Sequence, residues 1–163
     1  MYPNQNSVLI GPEIIGGLKD DSEILKLKRV HIYNIGQQLG MKFLSMFTGQ
    51  HILLTLHIVS NAEITKIIMK WISNESMQSL HTLGFFIPDS LITPDEVVES
   101  LKTERFNSAI RPRIYHLDTK IYQDKPRKID LSGDNCYDII REVDGKRATL
   151  HFDDKYFKIL VWN

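Results

Sequence analysis

The sequence predicts an α+β fold: a mostly antiparallel sheet with a C-terminal three-stranded meander, and helices packed chiefly on one face. Three observations carry this. From Cys136 to Asn163 apolar and polar residues alternate around two turn signals, Asp144-Gly145 and Asp153-Asp154. Two helix starts stand out, Ser60-Asn61-Ala62-Glu63 and Thr93-Pro94-Asp95-Glu96. Between Gln50 and Ser60 the chain is almost continuously apolar, the pattern of a buried strand.

Taken in order, Ser7–Ile10 is a short apolar run among Gly and Pro, an edge strand or a loop. Asp20, Asp21, Ser22 and Glu23 suit the positive end of a helix dipole. Leu25, Ile32, Leu39 and Met46 then recur every seven residues, with Ile35 and Phe43 between them. That stripe predicts one long helix ending near Gly49 as its C′ residue, although Gly36 and Gly40 weaken it. The alternative is a strand over Leu27–Tyr33 with the helix starting near Asn34. After the buried strand, Ile64, Ile67, Ile68, Trp71 and Ile72 fall at i, i+3, i+4, i+7 and i+8, the strongest amphipathic pattern of the chain. A second short helix is expected over Glu75–Leu83, and the Thr93 helix should run to about Arg105. Ile110–Leu117 reads as a strand that Pro112 confines to an edge or delays. Lys120–Asp130 reads as a loop around a short strand, with Lys125, Arg127 and Lys128 as a solvated basic cluster.

In the meander, a two-residue type I′ turn at Asp144-Gly145 would place Glu142 opposite Arg147, Ile139 opposite Leu150 and Tyr137 opposite Phe152. One face then carries Tyr137, Ile139, Val143, Ala148, Leu150 and Phe152, continued by Phe157, Ile159 and Val161. The other carries Asp138, Glu142, Arg147, Thr149 and His151, with Ile140 as an exception, and gains Tyr156, Lys158, Leu160 and Trp162. That second face is either covered by a helix or loop, or exposed as an aromatic docking patch.

A chain of 163 residues, 42% hydrophobic and 25% charged, fits one globular domain spanning residues 1–163. Twenty basic and twenty acidic residues cancel, which argues against a strongly basic nucleic-acid binder. The one cysteine, Cys136, has no internal disulfide partner. Met1–Ser7 lacks the pattern of a secretory peptide, and Phe43–Val59 is too interrupted for a membrane span. The expectation is a cytoplasmic protein without a membrane segment.

Chemistry-bearing motifs are sparse. The six histidines form no His-Glu-x-x-His pattern, and Cys136 has no cysteine neighbour, so neither metal nor cofactor is expected. Cys136 and His151 should lie on adjacent strands as diagonal neighbours, where an imidazolium could lower the thiol pKa. His81-Thr82 is superficially similar to the histidine motif of two-histidine phosphoesterases, but it lacks the intervening residue and the second copy. No catalytic residue is assigned.

These features favour a small protein-binding module, with Asp138, Glu142, Arg147, Tyr156, Lys158 and Trp162 as its contact residues. Asp153 and Asp154 add acidity, so a basic partner protein would fit. Immunity proteins that neutralise bacterial toxins, and other inhibitors, share this size and lack of motifs; the parallel is one of analogy. The alternatives are an enzyme built on His51 and His57, which share a face if Gln50–Ser60 is a strand, and a weak single-stranded nucleic-acid binder stacking bases on Tyr156 and Trp162.

Overall fold

The computed structural model describes residues 5–12, 14, 16–89, 92–117 and 128–162. Within these residues ten strands and three helices are formed: β1 (Ser7–Ile10), β2 (Arg29–Ile32), α1 (Gln37–Met46), β3 (His51–Thr55), α2 (Asn61–Ile72), β4 (Thr82–Phe86), α3 (Pro94–Val98), β5 (Glu104–Arg105), β6 (Ile114–His116), β7 (Lys128–Asp130), β8 (Cys136–Ile140), β9 (Arg147–Asp153) and β10 (Tyr156–Val161). Eight of the strands make one sheet in the order β1-β2-β3-β4-β10-β9-β8-β5, while β6 and β7 form a separate antiparallel pair. The fold is α+β and antiparallel pairings predominate. The exception is the β1–β4 block, whose neighbours run parallel. Parallel neighbours need a crossover, and α1 and α2 supply it between β2, β3 and β4.

The long helix expected over Asp20–Gly49 is not formed. A 3₁₀ turn at Glu23–Lys26 is followed by β2, and α1 begins only after Gly36. The strand alternative fits better because Val30 and Ile32 are buried while Arg29 and His31 are only partly so, a period of two. Asn34 at φ 54° then breaks the chain direction. Gly49 does not cap α1, whose last turn closes at Phe47 in extended conformation. Its role is close approach. The segment after α1 crosses the 25–28 segment, with Thr48 N–H donating to Leu25 O and Gln50 N–H to Lys28 O. A Cβ on Gly49 would sit 2.0 Å from the Leu27 carbonyl oxygen.

The helix at Ser60 forms as the sequence indicates. Ser60 Oγ accepts from Glu63 N–H, and the Glu63 carboxylate accepts from Ser60 N–H, a reciprocal cap. Ile64, Ile67, Ile68 and Trp71 are all buried. The helix expected over Glu75–Leu83 is absent. Positive φ at Asn74 and Met77 turns the chain, and 82–86 becomes the interior strand β4. Leu83 and Phe85 are 1% and 0% exposed there, because tertiary burial between β3 and β10 overrides local helix signals. The Thr93 helix starts as expected but stops at Val98, well short of Arg105. Pro112 delays its strand to Ile114. Lys125 and Arg127 lie outside the described residues.

Along the C-terminal strands β8 pairs with β9 and β9 with β10, both antiparallel, but each register is two residues from the expectation. Tyr137 faces Leu150 and Ile140 faces Arg147, so Glu142 and Arg147 are not opposed. The loop between β8 and β9 is longer than a two-residue turn: Arg141 N–H donates to Lys146 O, and Gly145 N–H donates back to Arg141 O. The Asp144 carboxylate is held by both Arg141 Nε (3.0 Å) and Nη2 (2.6 Å), which removes it from a tight turn. Asp154 and Lys155, rather than Asp153 and Asp154, make the second turn. A slip of two preserves faces. Tyr137, Ile139, Ala148, Leu150, Phe152, Phe157, Ile159 and Val161 are therefore all in the main core, with Phe43 and Leu44 of α1 and the α2 stripe. Val143 alone leaves the set; it is in the loop and 67% exposed. No helix among the described residues is long and apolar enough to cross a membrane.

Gly49→Ala should lower stability by about 1–3 kcal/mol, the cost of forcing a methyl group into filled space. Gly17→Ala, where a Cβ meets nothing within 4 Å, should change it by no more than about 0.5 kcal/mol. Urea unfolding of the two variants checks the contrast.

Candidate functional site

The face of the sheet opposite the main core runs through the even positions of β8 and β10 and the odd positions of β9. Part of it is covered. Leu117, Ile129 and Leu131, from the β6–β7 pair and its flanks, form a second buried cluster with Cys136 and Leu160, against which Phe106, Tyr115 and Trp162 pack. Trp162 is half-buried, in edge contact with Tyr115 at 5.0 Å between ring centroids. Its Nε1–H donates to Thr149 Oγ1 (2.8 Å), and the Thr149 hydroxyl donates to Asp138 Oδ1 (2.7 Å). Asp138 is 3% exposed and ion-paired with Arg111. A four-member polar chain, Trp162–Thr149–Asp138–Arg111, thus ties the covering segment to the sheet.

The six expected contact residues are dispersed by this arrangement. Asp138 is committed inside the fold and Trp162 is packed beneath Tyr115. Glu142 and Arg147 are exposed, Glu142 in the β8–β9 loop. Tyr156 and Lys158 are half-buried neighbours, the Lys158 ammonium lying 4.6 Å from the centre of the Tyr156 ring. Two of these residues line a groove and two line a recess. Asp138 and Glu142 border the groove, of about 430 Å³, with Met69, Ile72, Leu101, Lys102, Glu104 and Ile140. Tyr156 and Lys158 border the recess between the sheet and the β6–β7 pair.

The histidines do not assemble. His51 opens β3, where its Nδ1 is 2.9 Å from Thr82 Oγ1 and its ring meets His81 edge-on at 5.3 Å. His57 is exposed, beyond the opposite end of the same strand. Cys136 and His151 face each other directly, closer than the diagonal placement expected. Their electrostatics oppose thiolate chemistry. Burial pushes the Cys136 thiol up to about 11, and burial followed by the Lys158 charge pushes His151 down to about 4. The imidazole is neutral at pH 7 and cannot act as the cation that activates a thiol. Among the described residues no group of three metal-ligating side chains comes together.

Several residues of these sites carry no sequence motif. Arg111 becomes the partner of Asp138 only through tertiary folding. Gly84 carries one usable signal, a glycine inside an apolar Leu-Gly-Phe-Phe run, which marks a bulge or a close approach when it falls in a strand. The chain matches no protein-family model, no curated protein and no solved structure.

Asp138→Asn should destabilise the fold by about 3–5 kcal/mol, since it leaves the Arg111 guanidinium, only 11% exposed, without its counter-charge. Urea unfolding measures this, and Arg111→Met in the same background should recover part of the loss. A second outcome concerns pH. The folded state refuses a proton at His151 that the unfolded chain accepts below about pH 6.5. Stability contributed by the neutral imidazole is therefore full above that pH and declines as pH falls toward about 4. His151→Asn should make the stability profile shallower across this window in a urea-midpoint series.

Proposed function

We propose that this chain is a small protein-binding module whose contact surface is the groove beside the outer end of β8. The observation that carries the reading is a gathering of exposed apolar side chains within an acidic rim. Met69 is 44% exposed and Ile140 38%, and both line the groove; Val143, at 67%, sits on the adjoining loop. Leu101 and Ile72 extend the apolar floor. Solvent-exposed apolar side chains that cluster and are rimmed by charge are characteristic of interaction sites, whereas scattered ones are ordinary. β5 pairs with β8 only at Asp138 and Tyr137, so the sheet edge beyond Glu104 opens toward the groove.

Charge selects the partner. Glu104 and Glu142 outnumber Lys102 among the exposed lining residues, because Asp138 is already neutralised by Arg111. A segment presenting an apolar side chain flanked by Lys or Arg fits: burial of the side chain supplies affinity, and the rim steers encounter and excludes acidic competitors. Covering a cationic surface is what an immunity protein or inhibitor of a basic toxin must do, and we assign the chain that role. A single cysteine suits a reducing cytoplasm.

The test places a photo-crosslinking amino acid at Ile140 and, as a more exposed control away from the groove, at Ile110, which is 72% exposed. In the native host the Ile140 position should yield one discrete adduct with a basic protein, and Ile110 should not. Glu142→Lys should weaken binding of that purified partner about ten-fold without changing the melting temperature. No adduct, or identical adducts from both positions, contradicts the proposal.

A further inference from the structure

The hydrogen-bond phase of β8 fixes which of its residues face outward. Phe152 N–H donates to Asn135 O (3.0 Å) and Arg141 N–H to Lys146 O (2.8 Å), so the odd residues of β8 exchange their backbone bonds with β9. The even residues, Cys136, Asp138 and Ile140, therefore turn N–H and C=O to the other side, toward β5. Phe106 N–H donating to Cys136 O (3.1 Å) fits that phase. β5 then covers Asp138, opposite Glu104, and stops. Lys102, two places further along the same line, is outside the strand. Among the described residues no backbone group pairs with Ile140 on this side.

Resting on the docking groove assigned above, we propose that its occupant is an extended segment of the partner, which adds to the sheet as a new antiparallel strand beside Ile140. The segment continues the line that β5 leaves unfinished. The residues that β8 and its loop contribute to the groove are Asp138, Ile140 and Glu142, the even positions alone. The groove thus runs along the open edge of the strand rather than over its face. An unpaired edge is a template for another strand. A segment that joins one gains affinity from main-chain bonds and specificity from alternate side chains. One partner residue can bond both the N–H and the C=O of Ile140 only in an antiparallel pair. A helix in the same groove would bond neither, since its own backbone groups are used internally.

The two faces of the sheet set the segment's sequence. A residue opposite Ile140 shares its face, and the residues on either side of it point to the main-core face. There α2 packs, and its Met69 and Ile72 line the groove. Those two flanking positions take apolar side chains. The residue between them stands beside Ile140, which is 38% exposed, with Glu104 and Glu142 also on the groove wall. A Lys or Arg there lays its alkyl stem on the isoleucine and carries its charge to the carboxylates. The pattern recognised is apolar, basic, apolar in extended conformation, a period of two that a helix would scatter around its axis.

The experiment titrates the intact chain with the peptide acetyl-Lys-Val-Lys-Val-Lys-amide. A second peptide is N-methylated at the central lysine, which keeps every side chain and charge but removes the donor aimed at Ile140. Backbone amides are followed by NMR, and hydrogen exchange at Ile139 and Ile140 is measured with and without peptide. In the free chain the Ile140 amide should exchange at least about ten-fold faster than that of Ile139, which pairs with Ala148. Saturation with the first peptide should slow Ile140 exchange at least about ten-fold, and the N-methylated peptide should bind at least about ten-fold more weakly. An Ile140 amide already protected in the free chain overturns the proposal, and so does the absence of saturable shifts with the first peptide. Equal binding of the two peptides, with Ile140 exchange unchanged, overturns strand addition and leaves the groove as a docking site. Whether the groove docks a partner at all is decided separately, by the crosslinking at Ile140.

Discussion

The pairing of β4 with β10 is the joint on which the rest of the molecule depends. On one side of it lie four parallel strands, β1 to β4, the last three connected in sequence by α1 and α2; on the other lie strands that return on themselves by short turns. The chain travels from β4 through α3, β5, β6 and β7 before β10 comes back beside it, so this joint closes the longest loop in the sheet. What repays that closure is burial. Leu83 meets Ile159 and Phe85 meets Phe157, all four at 1% exposure or less, and the two aromatic rings lie 5.8 Å apart between centroids. Val161 N–H donates to His81 O and Ile87 N–H to Lys155 O, so the ladder is anchored at both ends.

Once β10 is fixed against β4, the second face follows. The long connection between those strands has nowhere to bury Leu117, Ile129 and Leu131 except on the back of β8 and β10, where Cys136 and Leu160 receive them. The polar chain from Trp162 to Arg111 accompanies that apolar contact and satisfies a buried carboxylate. Among the described residues the covering segment crosses only part of the face and leaves the recess over Gly84. The groove at β8 arises from the same economy. A two-residue β5 shields too little of the outer edge to cover Ile140.

Local chemistry written in a few adjacent residues is legible in the sequence alone. The Ser60–Glu63 cap, the α2 stripe and the alternation of the last strands can all be read there, and errors of two residues in the registers do no harm because the side-chain period is also two. The rest depends on distant neighbours. The repeat from Leu25 to Met46 mimics a helix because a strand, a turn and a short helix happen to present apolar residues at similar intervals, and only the pairing of β2 between β1 and β3 decides the matter. The parallel block likewise leaves no local mark beyond a run of apolar residues at β3. Alternation puts all six candidate contact residues on or beside the second face, yet Asp138 and Trp162 are structural, since the residues that occupy them, Arg111 and Tyr115, lie far off in sequence.

Both the recess and the cover of the second face require β10 to lie antiparallel against β4 in the register that brings Lys158 beside Gly84. In such a ladder the pairs Thr82–Leu160, Gly84–Lys158 and Phe86–Tyr156 alternate with the hydrogen-bonded ones and bring their α-carbons closest. Two-dimensional NMR of the labelled protein should show strong Hα–Hα cross-peaks for all three pairs. Cross-peaks linking β10 to β9 alone, or to β4 in a register displaced by one residue, would contradict the account, because the recess would lose its floor and the second face its cover.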